Sequence, residues 1–243
     1  MNKNLLIIIP AYNEALTIGN VVINCKKYGD VLVINDGSND RTEVCAKQAG
    51  AEVLTNEKNL GYENSLNVGY LYAINHQYTI MLTMDADGQL PEAQIPIFVD
   101  QVLQGSALAV GKRKKLSRFT EISLSIFSKI MSRIEDPYCG MKAYDLTINP
   151  KNTFSTYNSV GTSLALSYAA LNLPISNLEI DINPRDGQSK FGGRIVSEIK
   201  LMPSFVIGII RLFIIFFSRL AYRISKYLKN LLLKLSIKFK KNL

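Results

Sequence analysis

The chain has 243 residues, of which 47% are hydrophobic and none is tryptophan. This composition excludes a disordered protein and suffices for one large α/β domain with an appendage. The formal net charge is +8, but eight cations and no acid lie in residues 219–243, so residues 1–218 are neutral overall. A basic tail on a neutral body favours a phosphate-bearing partner, either lipid headgroups or nucleic acid.

Strands and helices alternate along the first part of the chain. We predict strands at residues 4–9, 31–34, 51–54 and 79–84, with helices at 14–27, 40–49 and 61–75. The first apolar run is short and ends in a polar turn, so we interpret it as a buried strand and not as an export signal. This alternation indicates βαβ units and a mostly parallel sheet, with the ligand crevice at the carboxyl ends of the strands.

The second half of the chain is less regular. We predict helices at residues 94–103, from about 118 to 133 and at 161–171, a strand at 107–110, and extended segments at 136–144 and 177–182. Residues 112–118 carry five cations in seven positions. The three cysteines, Cys25, Cys45 and Cys139, fit no disulfide framework or zinc spacing, and we interpret them as reduced thiols in the cytosol.

Two carboxylates and an amide follow the fourth predicted strand. Asp85, Asp87 and Gln89 occupy alternate positions, and alternate side chains of an extended segment share a face. Hard oxygen ligands of this kind suit Mg²⁺ or Mn²⁺, which bind through one or two carboxylates plus substrate phosphates. The alternative is a solvated acidic turn, which the preceding apolar strand makes less favourable.

Six segments carry a family resemblance. Residues 9–14 (IPAYNE), 33–38 (VINDGS), 59–62 (NLGY) and 85–89 (DADGQ) together resemble family 2 glycosyltransferases of the GT-A fold. Residues 136–142 (DPYCGMK) and 185–190 (RDGQSK) are similar to the D-x-x-[SC]-G-F-[RK] and R-x-x-G-x-S-K segments of the dolichol-phosphate-mannose synthase type. There are two departures: Asn35 precedes Asp36 where paired acids are usual, and Met141 replaces an aromatic residue.

The resemblance implies a GT-A catalytic domain at residues 1–193 and a membrane-associated tail at 194–243. It implies a nucleotide-sugar pocket, a metal site and an acceptor-phosphate contact. The implied nucleotide-sugar residues are Pro10, Tyr12, Glu14, Asp36, Asp85, Ala86, Arg185 and Lys190. The implied metal ligands are Asp85, Asp87 and Gln89, the acceptor-phosphate contact is Arg113, and the catalytic residues are Asp136 and Asp87.

Each assignment has a structural alternative. Tyr12 would then be a packing aromatic, Glu14 an acid in the first turn of a helix, and Asp36 an Asx-turn or a cap for the next helix. Arg185 and Lys190 could clamp a diphosphate or lie in a solvated loop. Asp136 is either a base, an orienting acid or a structural acid.

The tail combines an apolar segment with a basic one. Residues 201–218 are apolar except for Arg211, and we favour a helix embedded in the membrane interface, with a span left open. Residues 219–241 alternate apolar and basic residues at helical spacing, as expected for an amphipathic helix on an anionic bilayer. The alternative is a helix that binds a protein partner or forms a homo-oligomer.

The reaction implied is inverting transfer of a sugar from a GDP- or UDP-sugar to a polyprenyl phosphate at the cytoplasmic membrane face. A phosphate acceptor is already ionised near neutral pH and needs alignment more than deprotonation. A rival is a family 2 enzyme that glycosylates a hydroxyl, for which loss of Asp136 should abolish turnover. A non-catalytic membrane-binding or nucleic-acid-binding protein is a further alternative, but a neutral body without an aromatic-basic face disfavours nucleic acid.

Overall fold

The computed structural model describes residues 5–148, 161–183 and 194–241. Its described strands are β1 (Leu5–Ala11), β2 (Asp30–Asn35), β3 (Glu52–Thr55), β4 (Ile80–Thr83), β5 (Leu108–Arg113), β6 (Lys142–Asp145) and β7 (Ile175–Ile180). Its described helices are α1 (Ile18–Cys25), α2 (Thr42–Gln48), α3 (Tyr62–Asn75), α4 (Ile95–Leu103), α5 (Phe119–Ser132), α6 (Thr162–Ala170) and α7 (Arg194–Lys241), with a short 3-10 helix at Glu92–Gln94.

The strands form one mixed sheet in the order β3-β2-β1-β4-β6-β5-β7. β1 pairs in parallel with β2 and β4, and β5 pairs in parallel with β7. β6 runs antiparallel to both neighbours and joins the two parallel halves. The predicted α/β architecture with a mostly parallel sheet is therefore confirmed, although the sequence indicated only an extended segment where β6 lies.

The central strand β1 is buried on both faces, which explains its unbroken apolar sequence. Ile7 and Ile9 join the core cluster that includes helices α1 and α4, whereas Leu6 and Ile8 join the cluster on the α3 side. Gly69 of α3 lies directly over Ile8, and a Cβ at this glycine would lie 2.5 Å from Ile8 Cγ2. The missing side chain lets α3 pack close to the strand.

Helix α7 is continuous over the tail, where the sequence suggested an apolar segment followed by an amphipathic one. Leu212 and Ile215 are buried against the body, and a Cβ at Gly208 would lie 3.0 Å from Leu124 of α5. The stretch Leu201–Lys229 is long and apolar enough to cross a membrane by length and composition. Of its apolar 18-residue segment, 28% is buried in the protein. The division of the chain at residues 193 and 194 stays a prediction.

Candidate active site

A cavity of about 460 Å³ opens at the carboxyl edge of the sheet. The loops that follow β1, β2 and β4 form one side of it, and the end of β5 with the start of α5 forms another. The described lining residues are Pro10, Ala11, Tyr12, Glu14, Asp36, Asn59, Gly61, Tyr62, Ser65, Asp85, Ala86, Asp87, Gln89, Arg113, Arg118, Glu121, Tyr138 and Leu201. The three predicted metal ligands therefore face the same space as most of the predicted nucleotide-sugar residues.

The loop after β4 is held in place from several sides. The Ala86 carbonyl accepts a hydrogen bond from Thr17 Oγ1 at 2.7 Å, and Asp87 Oδ1 accepts one from the Gln89 amide at 3.1 Å. The Asn183 amide donates to the Gln89 carbonyl at 2.8 Å. These contacts fix the backbone that carries the carboxylates, so the oxygens need little ordering when they bind a ligand.

The carboxylate of Asp85 is oriented by a tyrosine and approached closely by a glycine. Tyr62 Oη donates to Asp85 Oδ1 at 2.8 Å. Behind the carboxylate lies Gly140, where an added Cβ would collide with both oxygens of Asp85. The glycine of residues 136–142 is therefore required by the close approach of the carboxylate.

A buried lysine lies beneath the carboxylate cluster. Lys142 is 2% exposed, its ammonium group donates to the Cys139 carbonyl, and burial lowers its pKa. Thr83 Oγ1 donates to the Gly140 carbonyl at 2.6 Å. These bonds anchor the 136–142 segment to β4, and they place a cation among Asp85, Asp136 and Glu63.

Burial and the charge of Asp87 raise the pKa of Asp85 to about 6, although the Tyr62 hydrogen bond and Lys142 act in the opposite direction. A divalent cation would reverse this effect because it stabilises both carboxylates in their ionised form. No group of three or more His, Cys, Asp or Glu side chains forms a metal cluster within the described parts of the chain. Asp85, Asp87 and Gln89 could hold a hard cation only if a bound substrate or water supplied further oxygen ligands.

Asp36 is 4% exposed and has a bracing role. Its carboxylate accepts hydrogen bonds from Asn56 Nδ2 at 2.8 Å, from the Leu60 amide at 2.9 Å and from the Gly61 amide at 2.8 Å. Both oxygens are therefore used to hold the turn that begins α3. Asp36 also lines the cavity, so its predicted contact with a nucleotide remains compatible with this arrangement.

The loop after β1 supplies the aromatic and acidic side chains. Tyr12 is 37% exposed at the cavity, which leaves part of its ring accessible to a base. Glu14 is tied to the start of α2, since its amide donates to Thr42 Oγ1 at 2.7 Å. Thr17 Oγ1 lies 3.3 Å from Glu14 Oε2.

Arg113 and Asp136 form a buried ion pair. Arg113 Nε donates to Asp136 Oδ2 at 2.7 Å, and Arg113 Nη2 donates to Asp136 Oδ1 at 3.0 Å. The Arg113 side chain is 17% exposed and the Asp136 side chain 2%. Burial lowers the pKa of Arg113, but Asp136 and Glu121 outweigh that effect and the net pKa is raised. Arg113 reaches the cavity, whereas Asp136 lies behind it and is not among the lining residues.

Glu121 joins this ion pair to a second arginine. Its Oε1 accepts from Arg113 Nη1 at 3.1 Å and from Arg118 Nη1 at 2.8 Å. Arg118 is the N-cap of α5, and Glu121 occupies the third position of that helix. Glu121 therefore holds the two arginines side by side, and both line the same cavity as the loop after β4.

The site contains residues to which the sequence motifs assign no role. Tyr62 stands in a recognised motif, and Arg118 stands in the basic run, but neither was singled out. Glu121 had a detectable signal, because an acid three residues after a helix cap is typical of a capping box. Leu201 had none, since it reaches the cavity only through the packing of α7 on the body. Arg185 and Lys190 lie outside the described residues, so their role stays a prediction.

Comparison with known proteins identifies the family. The model of glycosyl transferase family 2 matches residues 6–153, which hold all the described motifs up to the Lys142 segment. The chain belongs to glycosyl transferase family 2. This confirms the resemblance that the motifs indicated.

Several curated relatives of this family 2 chain share part of its sequence. A polyprenol monophosphomannose synthase of Mycolicibacterium smegmatis is 27% identical over 220 residues, covering 79% of this chain and 83% of the relative. An undecaprenyl-phosphate 4-deoxy-4-formamido-L-arabinose transferase of Pectobacterium atrosepticum is 27% identical over 163 residues, 58% of this chain and 49% of the relative. An uncharacterized protein of Methanocaldococcus jannaschii is 35% identical over 117 residues, 46% of this chain and 48% of the relative. The chain thus spans about half the length of these last two relatives.

Solved structures share the fold of this family 2 chain. Glucosyl-3-phosphoglycerate synthase of Mycobacterium tuberculosis, in complex with Mn²⁺, uridine diphosphate and glucosyl-3-phosphoglycerate, superposes with a TM-score of 0.66. The identity is 19%, and the match covers 84% of this chain and 80% of the other. The match confirms the predicted GT-A fold.

Proposed function

We propose that this family 2 chain transfers a sugar from a GDP- or UDP-sugar to a polyprenyl phosphate at the cytoplasmic face of a membrane. One observation carries the proposal. The carboxylates of Asp85 and Asp87 line the same cavity as the guanidinium groups of Arg113 and Arg118. A diphosphate with its cation requires oxygen ligands such as carboxylates, and a second phosphate is bound well by guanidinium groups.

The donor side is formed by the loops after β1 and β4. Asp85, Asp87 and Gln89 are the proposed ligands of Mg²⁺ or Mn²⁺, and the bound ion would neutralise the charge that develops on the departing diphosphate. Pro10, Tyr12 and Glu14 line the proposed nucleotide pocket, with Asp36 at its floor. The Mn²⁺ and uridine diphosphate in the structural relative support this assignment.

The acceptor side is formed by the two arginines. Arg113 and Arg118 present planar guanidinium groups, which suit bidentate contact with a phosphate. An acceptor phosphate aligned there would attack the anomeric carbon of the sugar in line with the departing diphosphate, which inverts the configuration. The names of the polyprenol monophosphomannose synthase and the undecaprenyl-phosphate transferase support this acceptor class.

We assign Asp136 to the positioning of Arg113. Both of its oxygens accept hydrogen bonds from that guanidinium group, and the carboxylate lies behind the cavity wall. A phosphate acceptor needs no strong base, which suits an orienting acid at this position. Arg185 and Lys190 remain our proposed clamp for the donor diphosphate.

The membrane contact is proposed for the outer faces of α5 and α7. Phe119, Ile126 and Ile130 of α5 are exposed at 70%, 57% and 71%, and α7 exposes Ile199 and Ile214 at 67% and 63%. Large apolar side chains exposed together on a surface are typical of membrane or protein contacts. The eight cations of the tail favour an anionic bilayer, and removal of residues 220–243 should release the protein from anionic vesicles.

The test is a product assay with purified protein in detergent or vesicles. Polyprenyl phosphate and labelled GDP- and UDP-sugars are supplied with Mn²⁺ or Mg²⁺, and lipid extracts are analysed for a sugar-phosphate-lipid. We expect product with at least one donor, and none after chelation of the metal. Absence of product with every donor, or transfer only to a sugar hydroxyl, would overturn the proposal.

A further inference from the structure

A second cavity, of about 560 Å³, lies where α7 crosses the end of α6. Its described lining residues are Ala170, Leu171, Asn172, Ser218, Arg219, Arg223 and Lys226. The segment after α6 leads into the amino end of β7, and β7 runs parallel to β5 and, through β6, in the same direction as β4. This cavity is therefore at the opposite edge of the sheet from the proposed active site.

Three cations share one face of α7 at this cavity. Arg219, Arg223 and Lys226 are spaced by four and three residues, which places them above one another on a helix. The same face, one and two turns earlier, carries the buried side chains of Leu212 and Ile215. The cations thus continue the body-facing side of the helix, whereas the exposed apolar side chains occupy the other side.

Arg219 anchors this arrangement. Its Nη1 donates to the Met131 carbonyl at 2.8 Å, and its Nη2 donates to the Ala169 carbonyl. It therefore ties α7 to the last turns of α5 and α6, where the negative end of the helix dipole favours a cation. Its Nε is buried and has no hydrogen-bond partner in the described part of the chain.

Among the side chains that the structure describes, no acid pairs with the cations at this place. The charged side chains that act on the Arg219 guanidinium are Arg133 and Arg223, both cations. No ion pair with Arg219, Arg223 or Lys226 is found among the described side chains. Like charges one helical turn apart repel each other, so an anion bound between them would stabilise the helix and its contact with the body.

We propose that this cavity binds a phosphate group, with Arg223 and Lys226 contacting its oxygens and Arg219 forming its positively charged wall. A phosphate carries enough negative charge to offset several cations, and arginine and lysine are the side chains that bind it. The group can belong to the headgroup of an anionic membrane lipid or to a free phosphate. The inference does not depend on the proposed transfer reaction.

A matched pair of lysine variants tests the site. Lys226→Gln removes a cation that lines the cavity, and Lys229→Gln removes one from the next turn of the same helix that does not line it. Both side chains are exposed, so both variants should fold, which near-ultraviolet circular dichroism checks. Arg223→Gln serves as a second variant of the site.

The first arm compares thermal midpoints in inorganic phosphate and in chloride at equal ionic strength. The second arm measures sedimentation with phosphatidylcholine vesicles, with and without phosphatidylglycerol. We expect Lys226→Gln and Arg223→Gln to lose more than half of the stabilisation by phosphate, while Lys229→Gln keeps it. If a lipid headgroup is the ligand, the two site variants should also bind phosphatidylglycerol vesicles at least about fivefold more weakly than Lys229→Gln, which corresponds to the contribution of one cation near such a surface.

The two arms of the experiment distinguish a free phosphate from a lipid headgroup as the ligand. A difference between the lysine variants in the phosphate arm alone identifies a free phosphate as the ligand, and a difference in the vesicle arm identifies the lipid headgroup. Equal behaviour of Lys226→Gln and Lys229→Gln in both arms would show that only the overall charge of the helix matters, and it would overturn the proposed site.

Discussion

Asp85 is the side chain on which the contacts of the proposed active site converge. Tyr62 donates a hydrogen bond to it, Asp87 adds a like charge, and Gly140 leaves room for its oxygens. Lys142 places a buried ammonium group nearby. The carboxylate is thus oriented by its neighbours before any ligand binds, which is the arrangement expected of a metal ligand with supporting contacts.

Loss of the Tyr62 hydroxyl should weaken metal binding. Tyr62→Phe removes the hydrogen bond that orients Asp85, and loss of such a supporting contact costs about 10- to 100-fold in metal affinity. Titration of Mn²⁺ in the presence of a nucleoside diphosphate measures the effect. The matched control is Tyr72→Phe on the same helix, because Tyr72 makes a similar 2.7 Å bond to Glu52 on the exposed surface. Equal affinities of both variants and the wild type would contradict the assignment.

The charge of Asp85 should destabilise the metal-free protein at neutral pH. Its pKa is raised from 3.8 to about 6 by burial and Asp87, so the folded protein holds this proton more tightly than the unfolded chain does. Protonated Asp85 therefore contributes fully to the stability of the folded protein below about pH 4. This contribution is lost as the pH rises through about 6. Asp85→Asn should therefore raise the thermal midpoint at pH 7 without metal and abolish stabilisation by Mn²⁺ with nucleotide. A lower midpoint for the metal-free variant would contradict this electrostatic account.

Replacement of Asp136 should lower both the free energy of unfolding and the rate of sugar transfer. Asp136→Asn leaves the largely buried Arg113 with Glu121 as its remaining acidic partner, and breaking a buried ion pair costs about 3 kcal/mol or more. Misplacement of Arg113 should slow transfer about 100-fold without abolishing it. Urea unfolding and single-turnover rates measure the two effects.

The double variant Arg113→Gln/Asp136→Asn tests the same ion pair. It should be more stable than Asp136→Asn alone, since the Arg113 charge is removed together with that of Asp136 and Glu121 keeps its ion pair with Arg118. Unchanged stability of Asp136→Asn, together with complete loss of turnover, would indicate instead that Asp136 is a base.

At the scale of elements, α5 and α7 are joined at the entrance of the site. Glu198 of α7 accepts hydrogen bonds from the Phe119 and Thr120 amides at 2.5 and 3.2 Å and from Thr120 Oγ1 at 2.7 Å. An acidic group at the amino end of a helix satisfies free amides and complements the helix dipole. Arg118 is the N-cap of α5, so the tail helix braces the helix that carries this arginine to the cavity.

Glu198→Gln should lower the free energy of unfolding by about 1 kcal/mol, because it weakens the hydrogen bonds between α7 and the start of α5. Burial raises the pKa of Glu198, but the hydrogen bonds from Thr120 and Phe119 outweigh it and the net pKa is lowered. Its contribution to stability is therefore present above the ordinary value of 4.5 and is lost as the pH falls below it. Amide hydrogen exchange at the start of α5, measured at pH 7, should be faster in the variant. Glu57→Gln, which changes an exposed acid elsewhere, serves as the control. Equal exchange rates in both variants would contradict the proposed role of Glu198 at the start of α5.

The elements differ in how well the sequence predicted them. β1, β2 and β4 were predictable because strands buried on both faces need unbroken apolar runs. The antiparallel place of β6 was not, because pairing between β4 and β5 depends on contacts that are distant in the chain. Helix α7 was predicted as two segments because its composition changes near residue 219, but a change in composition does not interrupt backbone hydrogen bonding.

At the scale of the whole molecule, the motifs predicted which loops carry the carboxylates. The end of β5 and the start of α5 meet in space and bring the two arginines to the same cavity. The loops after β1 and β4 were predictable, since the carboxyl ends of parallel strands share one edge. Asp36 shows the limit of that reasoning: the resemblance implies a nucleotide contact, with an Asx-turn or a helix cap as the alternative, and neither predicts that its carboxylate also holds the start of α3. The link between Arg113, Glu121 and Arg118 arises from β5 and α5 meeting in space, which single-sequence patterns do not encode.

The most direct test of the proposed mechanism is calorimetric titration of UDP and GDP into the purified protein with Mn²⁺, and again with a chelator. The account predicts that one of the two nucleotides binds only when the metal is present, and that Asp85→Asn abolishes this binding while Tyr72→Phe preserves it. Binding of equal strength with the chelator, or undiminished binding to Asp85→Asn, would contradict the assignment of this carboxylate as the ligand that holds a cation against the donor diphosphate.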